Sequence, residues 1–300
     1  MRFSPANTLI LALTCLVIKP VLAIDLVPGD IVAPKPGAKQ LLLSYLSSER
    51  NDLYKNNVVT SGLGIKSEQM QIRTAWTFEV DKYPAAITLQ LAGGSLQPTG
   101  SLSNIRSGSS GLGDTTLLFA LWPYADRDKG EYLALGTYLT LPTGEYQSAP
   151  NFNLGANRYS YAFQVGYQRA LSSSLQWMSA IDAVQFGSND DYRAPLPLPL
   201  ALAHPRTTLD QKTLYSLQTG VRYTINDAYS ISAMYFHTVG GEEMINGRDQ
   251  HNRTDLHRYQ LSGSTQLPVG RLILQYGGDI KTQNGFYETS RVIVRYVTAF

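Results

Sequence analysis

An alternation of apolar and polar residues with a period of two runs through most of this chain, and it limits the possible folds more than any other feature. In MQIRTAWTFEV, Met70, Ile72, Thr74, Trp76, Phe78 and Val80 fall on one parity, and Gln71, Arg73, Ala75, Thr77 and Glu79 on the other. Successive side chains of a β-strand point to opposite faces, so the segment is a strand with one apolar face. Similar segments lie at 38–48, 85–95, 111–123, 131–141, 157–170, 175–187, 212–225, 228–238, 256–267, 271–281 and 291–300. Together they predict about twelve strands, and helical periodicity is hard to find. Each is close to the roughly 9–11 residues that a tilted strand needs to cross a bilayer.

The connections alternate in length. DKYP, YADRDKG, LSSS, ND and PVG, after every second strand, are short; most of the others are long, reaching SNDDYRAPLPLPLALAHPRTTLDQ. Tight turns then share one end of the strands with both chain termini, and long loops share the other. Bacterial outer-membrane barrels are built with short periplasmic turns and longer extracellular loops.

The two faces differ in chemistry. Mid-segment, the apolar parity carries no Lys, Arg, Asp or Glu, whereas the other holds Arg73, Glu79, Asp114, Asp182, Arg222, Arg258, Asp279, Lys281, Arg291 and Arg295. A charge facing lipid at mid-depth costs about 2–4 kcal/mol, so these ten residues are expected to line the lumen of a transmembrane antiparallel barrel. Aromatics on the apolar parity gather at segment ends. Phe78, Tyr167, Trp177, Tyr223, Tyr229 and Phe300 fit an inner girdle, and Tyr159, Tyr215, Tyr235, Tyr259 and Tyr276 an outer one. The last strand, RVIVRYVTAF, is expected to close on the first, because an open edge in hydrocarbon strands unpaired backbone groups. Phe300 resembles the terminal aromatic that the barrel assembly machinery reads on outer-membrane proteins.

The first 23 residues read as a signal peptide: Arg2, an apolar run from Leu9 to Ile18, and the cleavage-type Val21-Leu22-Ala23. The only cysteine, Cys15, lies within it, so the mature chain is expected to have no disulfide or cysteine-bound metal. Removal of Arg2 and Lys19 leaves basic residues equal in number to the 23 acidic ones. A neutral chain gives no support to nucleic-acid binding. Residues 24–37 form a separate N-terminal segment on the periplasmic side, either a free tail or a partial plug, and 38–300 form the barrel. A soluble β-sandwich is the competing fold. It also shows alternation, but its polar face should carry more Lys and Glu, and it has no reason to segregate loop lengths.

Three stretches resemble the bacterial family named for the meta-pathway of phenol degradation: PKPGAKQLLLSYLSSERNDLYKNN at 35–57, SGLGDTTLLFALWPY at 110–124 and LPTGEYQSAPNFNLGANRYSYAFQVGYQ at 141–168. The resemblance implies an exported outer-membrane β-barrel associated with uptake of aromatic or other apolar compounds. The likeness is strong over the first half of the chain and mainly one of pattern over the second.

Enzymatic patterns are scarce. There is no Gly-x-Ser-x-Gly, His-Glu-x-x-His or phosphate loop, and no cofactor is expected; GLGD reads best as a strand entrance with Asp114 facing the lumen. A lipid-modifying barrel enzyme would present a His and a Ser two residues apart on the lipid face. His237 and His257 lie on that parity, but Val239 and Tyr259 stand at the plus-two positions, so both read as girdle residues. His204 and His251 lie in loops. The functional reading is an outer-membrane channel for passive uptake of small aromatic or apolar organic compounds, with a plugged structural or adhesive barrel as the alternative. Its expected partners are membrane lipid and lipopolysaccharide, the assembly machinery and a small-molecule solute. Twelve strands spaced ~4.8 Å and tilted ~40° enclose a backbone cylinder of roughly 12 Å radius, which admits a small solute. The inner charges divide into acidic N-terminal and basic C-terminal walls, which either orient a solute or pair with each other. The apolar, proline-rich loop RAPLPLPLALAHP at 193–205 is expected to fold over the mouth or pack on neighbouring loops.

Overall fold

The computed structural model describes residues 25–104, 106–148, 152–193 and 206–300. The signal segment and nearly all of the 193–205 loop lie outside these. Its strands are β1 (Lys39–Lys55), β2 (Val58–Val80), β3 (Tyr83–Gly100), β4 (Ser109–Leu112), β5 (Thr115–Asp126), β6 (Glu131–Leu141), β7 (Ser160–Ala170), β8 (Leu175–Phe186) and β9 (Asn189–Tyr192). They continue with β10 (Thr207–Gln211), β11 (Leu214–Thr224), β12 (Tyr229–Gly240), β13 (Glu243–Ile245), β14 (Arg248–Asp249), β15 (Thr254–Gln266), β16 (Arg271–Thr282) and β17 (Gly285–Ala299). Among the described residues no helix is long and apolar enough to cross a membrane; the strands do the crossing.

Twelve of the strands close into one antiparallel barrel. β1 is paired to β2 on one side and to β17 on the other, and β2 also pairs with β3. At the seam Lys39 and Phe300 exchange both backbone hydrogen bonds, at 3.0 and 2.9 Å, so the terminal strand closes the ring as its pattern predicts. Closure leaves no unpaired edge to face hydrocarbon. β9, β10, β13 and β14 form a separate small sheet from the loops beyond β8 and β12.

The burial pattern is inside out. Met70, Ile72, Trp76, Ile181, Leu261 and Leu274 are exposed on the outer face, whereas Gln164, Gln168, Gln218, Gln260 and Gln275 are buried within. Tyr167 packs edge-on against Trp177 with ring centroids 5.9 Å apart, and Tyr259 against Tyr276 at 6.5 Å, inside the two girdles read from the sequence.

Two features differ from the sequence reading. The stretch after the first strand is not a long loop: β1 and β2 run on as one hairpin, joined by Asn56 and Asn57 at φ 51° and 65°. Both residues tolerate the left-handed conformation that a tight hairpin turn requires. At ~3.3 Å per residue the 23 residues of β2 reach about 75 Å, well beyond a bilayer. The projecting part escapes a simple alternation count because bulges at Glu49–Arg50 and Arg50–Asp52 shift its parity.

The second is the N-terminal segment. Of the two alternatives read from the sequence, free tail or partial plug, the plug fits, with the segment inside the barrel and not on its periplasmic side. Leu26, Ile31 and Ala33 are buried against the lumen-facing Ala86, Trp122, Tyr132, Met178, Ala180, Met234 and Phe236. Its backbone is satisfied by the wall: Gln218 Oε1 accepts from Leu26 N at 2.9 Å, Gln168 Oε1 accepts from Gly29 N at 3.1 Å, and Trp122 Nε1 donates to the Ile31 carbonyl at 2.8 Å.

Candidate functional site

The inserted segment divides the lumen into two cavities. The one towards the long loops, about 190 Å³, is lined by Asp25, Arg50, Asp114, Arg158, Arg291 and Arg295 among others. The one towards the tight turns, about 510 Å³, has residues 26–34 as part of its wall and is lined further by Trp122, Arg222 and Ser262 among others. Arg73 and Tyr138 line both, and so mark the boundary between them.

Asp25 is the keystone. Its carboxylate accepts from Arg258 Nη1 and Nη2 at 3.0 and 2.7 Å and from Arg291 Nη1 at 2.7 Å. Burial pushes its pKa up, but the Arg258 guanidinium, aided by Arg291, outweighs that and holds the carboxyl at about 2. Arg291 also meets Glu288 at 2.8 Å, which in turn holds Arg50 at 2.8 Å. The pairing of the C-terminal arginines therefore comes from the N-terminal segment and from Glu288. It does not come from an acidic wall on the N-terminal strands.

The other lumen candidates sort by partner. Asp182 accepts from the side-chain amides of Gln164 at 2.7 Å and Gln218 at 3.2 Å, and Asp279 from Thr282 Oγ1 and Glu288 N, both at 2.8 Å. Arg73 donates twice to Gln90 Oε1, at 3.1 and 2.8 Å, and Arg222 to Ser230 Oγ at 3.0 Å. Arg295 is buried in the wall of the outer cavity. Among the described residues, Arg73, Arg222 and Arg295 have no carboxylate at ion-pair distance.

Two of the ten are placed elsewhere. Glu79 keeps the inward parity but is exposed at the tight-turn rim, beside the Asp81–Lys82 turn. Lys281 is turned to the outer face. The register steps from Arg258↔Asp279 to His257↔Lys281, so Ile280 is an extra residue and every side chain beyond it changes face. Lys281 is more than half exposed and lies 3.4 Å from Asp255, which is on the outward parity of β15.

Two of the three motif stretches, 110–124 and 141–168, meet at Asp114. Its Oδ1 accepts from Gly144 N at 2.9 Å and its Oδ2 from Ala156 N at 2.8 Å. The loop between β6 and β7 is thereby folded inward over the outer cavity. The glycines permit this approach: a Cβ on Gly144 would lie 2.7 Å from the Gly113 backbone, and one on Gly155 would lie 2.7 Å from that of Gly144. Thus Gly113, Asp114, Gly144 and Gly155 pack the loop against the entrance of β5, where the acid satisfies two backbone N–H groups.

Asp25, Trp122, Tyr138 and Glu288 build contacts of the lumen that the alternation count does not single out. A signal for Asp25 was present. IDLVPGDIVAP is too apolar for a solvated tail, and its two acids stand among Leu26, Val27, Ile31, Val32 and Ala33.

A closed antiparallel barrel with a lipid-facing apolar exterior and a wet, solute-sized interior defines an outer-membrane channel. The sequence bears this out, since residues 55–296 match the family described as "Putative MetA-pathway of phenol degradation", and the chain belongs to that family. The COG4313 outer membrane channel from Pseudomonas putida F1 is similar to it at 26% identity, over 92% of this chain and 100% of that one, with a TM-score of 0.83. The β domain of the Bordetella autotransporter BrkA shares the fold at 11% identity, covering 88% of this chain and 100% of its own, with a TM-score of 0.51. No curated relative matches the chain. The protein is an outer-membrane β-barrel, and membrane lipid contacts its outward face.

Proposed function

We propose that the protein takes up small aromatic or apolar organic solutes passively, that those with an acidic group are favoured, and that residues 25–34 restrict the path. The observation carrying this is the junction of the two cavities, where Arg73 lies beside Tyr138 with no carboxylate partner among the described residues. A guanidinium without a paired acid attracts an organic anion, and a neighbouring phenol ring offers its π face and edge to an aromatic one. Arg295 adds a second such cation on the outer side. The family's link to phenol degradation favours the aromatic class.

In the same reading, residues 1–23 are removed on export, 24–37 form the N-terminal segment, of which 25–34 enter the lumen, and 38–300 form the barrel. The barrel assembly machinery reads the terminal strand, and the protein performs no catalysis. A plugged structural barrel is the second reading, favoured by the triple hydrogen bond on Asp25. Uptake by reconstituted vesicles of benzoate-type acids, phenols and sugars of similar size tests both. The expected order is aromatic acids first and sugars last. Equal rates would leave a general pore, and no flux above protein-free vesicles would leave the structural barrel.

A further inference from the structure

Just beyond the outer girdle, β12, β15 and β16 bring four ionisable side chains together on the outward face, away from the lumen. His237 is paired across the ladder with His257, Val239 with Asp255, and His257 with Lys281. Nε2 of His237 lies 3.0 Å from Asp255 Oδ1, and Nε2 of His257 lies 3.3 Å from the same oxygen. The two imidazoles stack with centroids 4.1 Å apart and planes 12° from parallel. One ligand atom from each of the three residues falls within 4.8 Å of the others.

These separations are those of donors around one small cation. With metal–ligand bonds of about 2.0–2.1 Å, two vertices of a tetrahedron are about 3.3 Å apart. The pair distances at Asp255 Oδ1 already stand at or near that value. His257 also has the outer support such ligands need. Its Nδ1 is 2.6 Å from the Tyr235 hydroxyl, which fixes the ring and leaves Nε2 facing Asp255. Lys281 reaches only Oδ2, at 3.4 Å, and is exposed enough to swing away.

We propose that His237, Asp255 and His257 form an outward-facing binding site for a first-row divalent cation of the Zn²⁺ type. Two imidazoles and one carboxylate suit such borderline cations, whereas Ca²⁺ and Mg²⁺ require oxygen ligands. The bound ion ties β12 to β15 at the outer rim and keeps a fourth position open to water or a headgroup oxygen. Lys281 neutralises Asp255 when the ion is absent and competes with it when present.

The test uses the full, untagged barrel in detergent, titrated with Zn²⁺ by calorimetry and with Co²⁺ followed by visible absorption. The expected result is one equivalent bound, with the intense bands of tetrahedral Co²⁺ abolished by Zn²⁺. His237→Gln and His257→Gln, each checked for barrel integrity by heat-modifiable gel mobility, should each lose the bands. Tyr235→Phe should weaken binding about 10-fold, and Lys281→Ala should strengthen it several-fold. His251→Gln, in a loop 3.7 Å from Glu242, should change nothing. Equal binding by wild type and the His237→Gln/His257→Gln double variant would overturn the proposal, as would only the weak bands of octahedral Co²⁺.

Discussion

Asp25 carries more of the internal architecture than any other side chain, because two buried guanidiniums depend on it. Removing one partner of a buried charge pair costs about 3–5 kcal/mol, since the remaining charge stays desolvated. In Asp25→Ala, Arg258 and Arg291 lose that carboxylate and the segment loses its anchor. Single-channel recording should show larger conductance than wild type, and an unchanged value would mean that the segment does not restrict the path. The pH dependence has a definite sign. A carboxyl held at about 2, below its ordinary 3.8, contributes its stabilisation in full above the ordinary value and loses it as pH falls through the lower one. Conductance should therefore stay level from neutrality down to about pH 4 and rise only in stronger acid. Neither the clamp nor the outward turn of Lys281 follows from parity alone. One depends on contacts 233 and 266 residues apart in the chain, the other on a single inserted residue.

At the scale of the strand, most of the fold is legible. Hydrocarbon and water impose opposite preferences on alternate residues, and the alternation survives wherever a strand lies within the bilayer. β6 spans 131–141, the same bounds that its pattern predicts, and β16 and β17 keep their apolar faces. Legibility fails where the two solvents stop alternating. The distal parts of β1 and β2, beyond residue 48 and before residue 70, project from the bilayer and carry the bulges that shift parity, so no steady alternation marks them as strands. The loop after β6 is legible only as a motif, because its inward fold rests on close backbone approach at Gly113, Gly144 and Gly155. Outward positions give the sharpest check. Val165 and Leu217 lie on the lipid face of β7 and β11. A lysine at either should destabilise the membrane-inserted barrel by about 2–4 kcal/mol at mid-depth. Urea titration in bilayers should show it, and a shift well below 1 kcal/mol would count against the assigned face.

For the molecule as a whole, the interior field matters more than any one pair. Once Asp25 is satisfied, Arg73, Arg222 and Arg295 remain as cations without an acid at ion-pair distance among the described residues. Low-dielectric walls focus such a field along the bore. The channel is expected to prefer chloride to potassium in a salt gradient. Arg73→Gln with Arg295→Gln should move the reversal potential towards zero, whereas wild type already at zero would show that the field is cancelled within the lumen.

The clamp on Asp25 also sets an order of events during biogenesis. The first residues of the described chain find their partners on β15 and β17, among the last strands to be made, and close contacts between such distant positions form late. The stopper therefore cannot seat until the ring is nearly complete, so an unfinished barrel has the wider path and the finished one the narrowed path. Any bulky group attached ahead of residue 25 has to be swallowed by the closing wall or left outside with the stopper undocked.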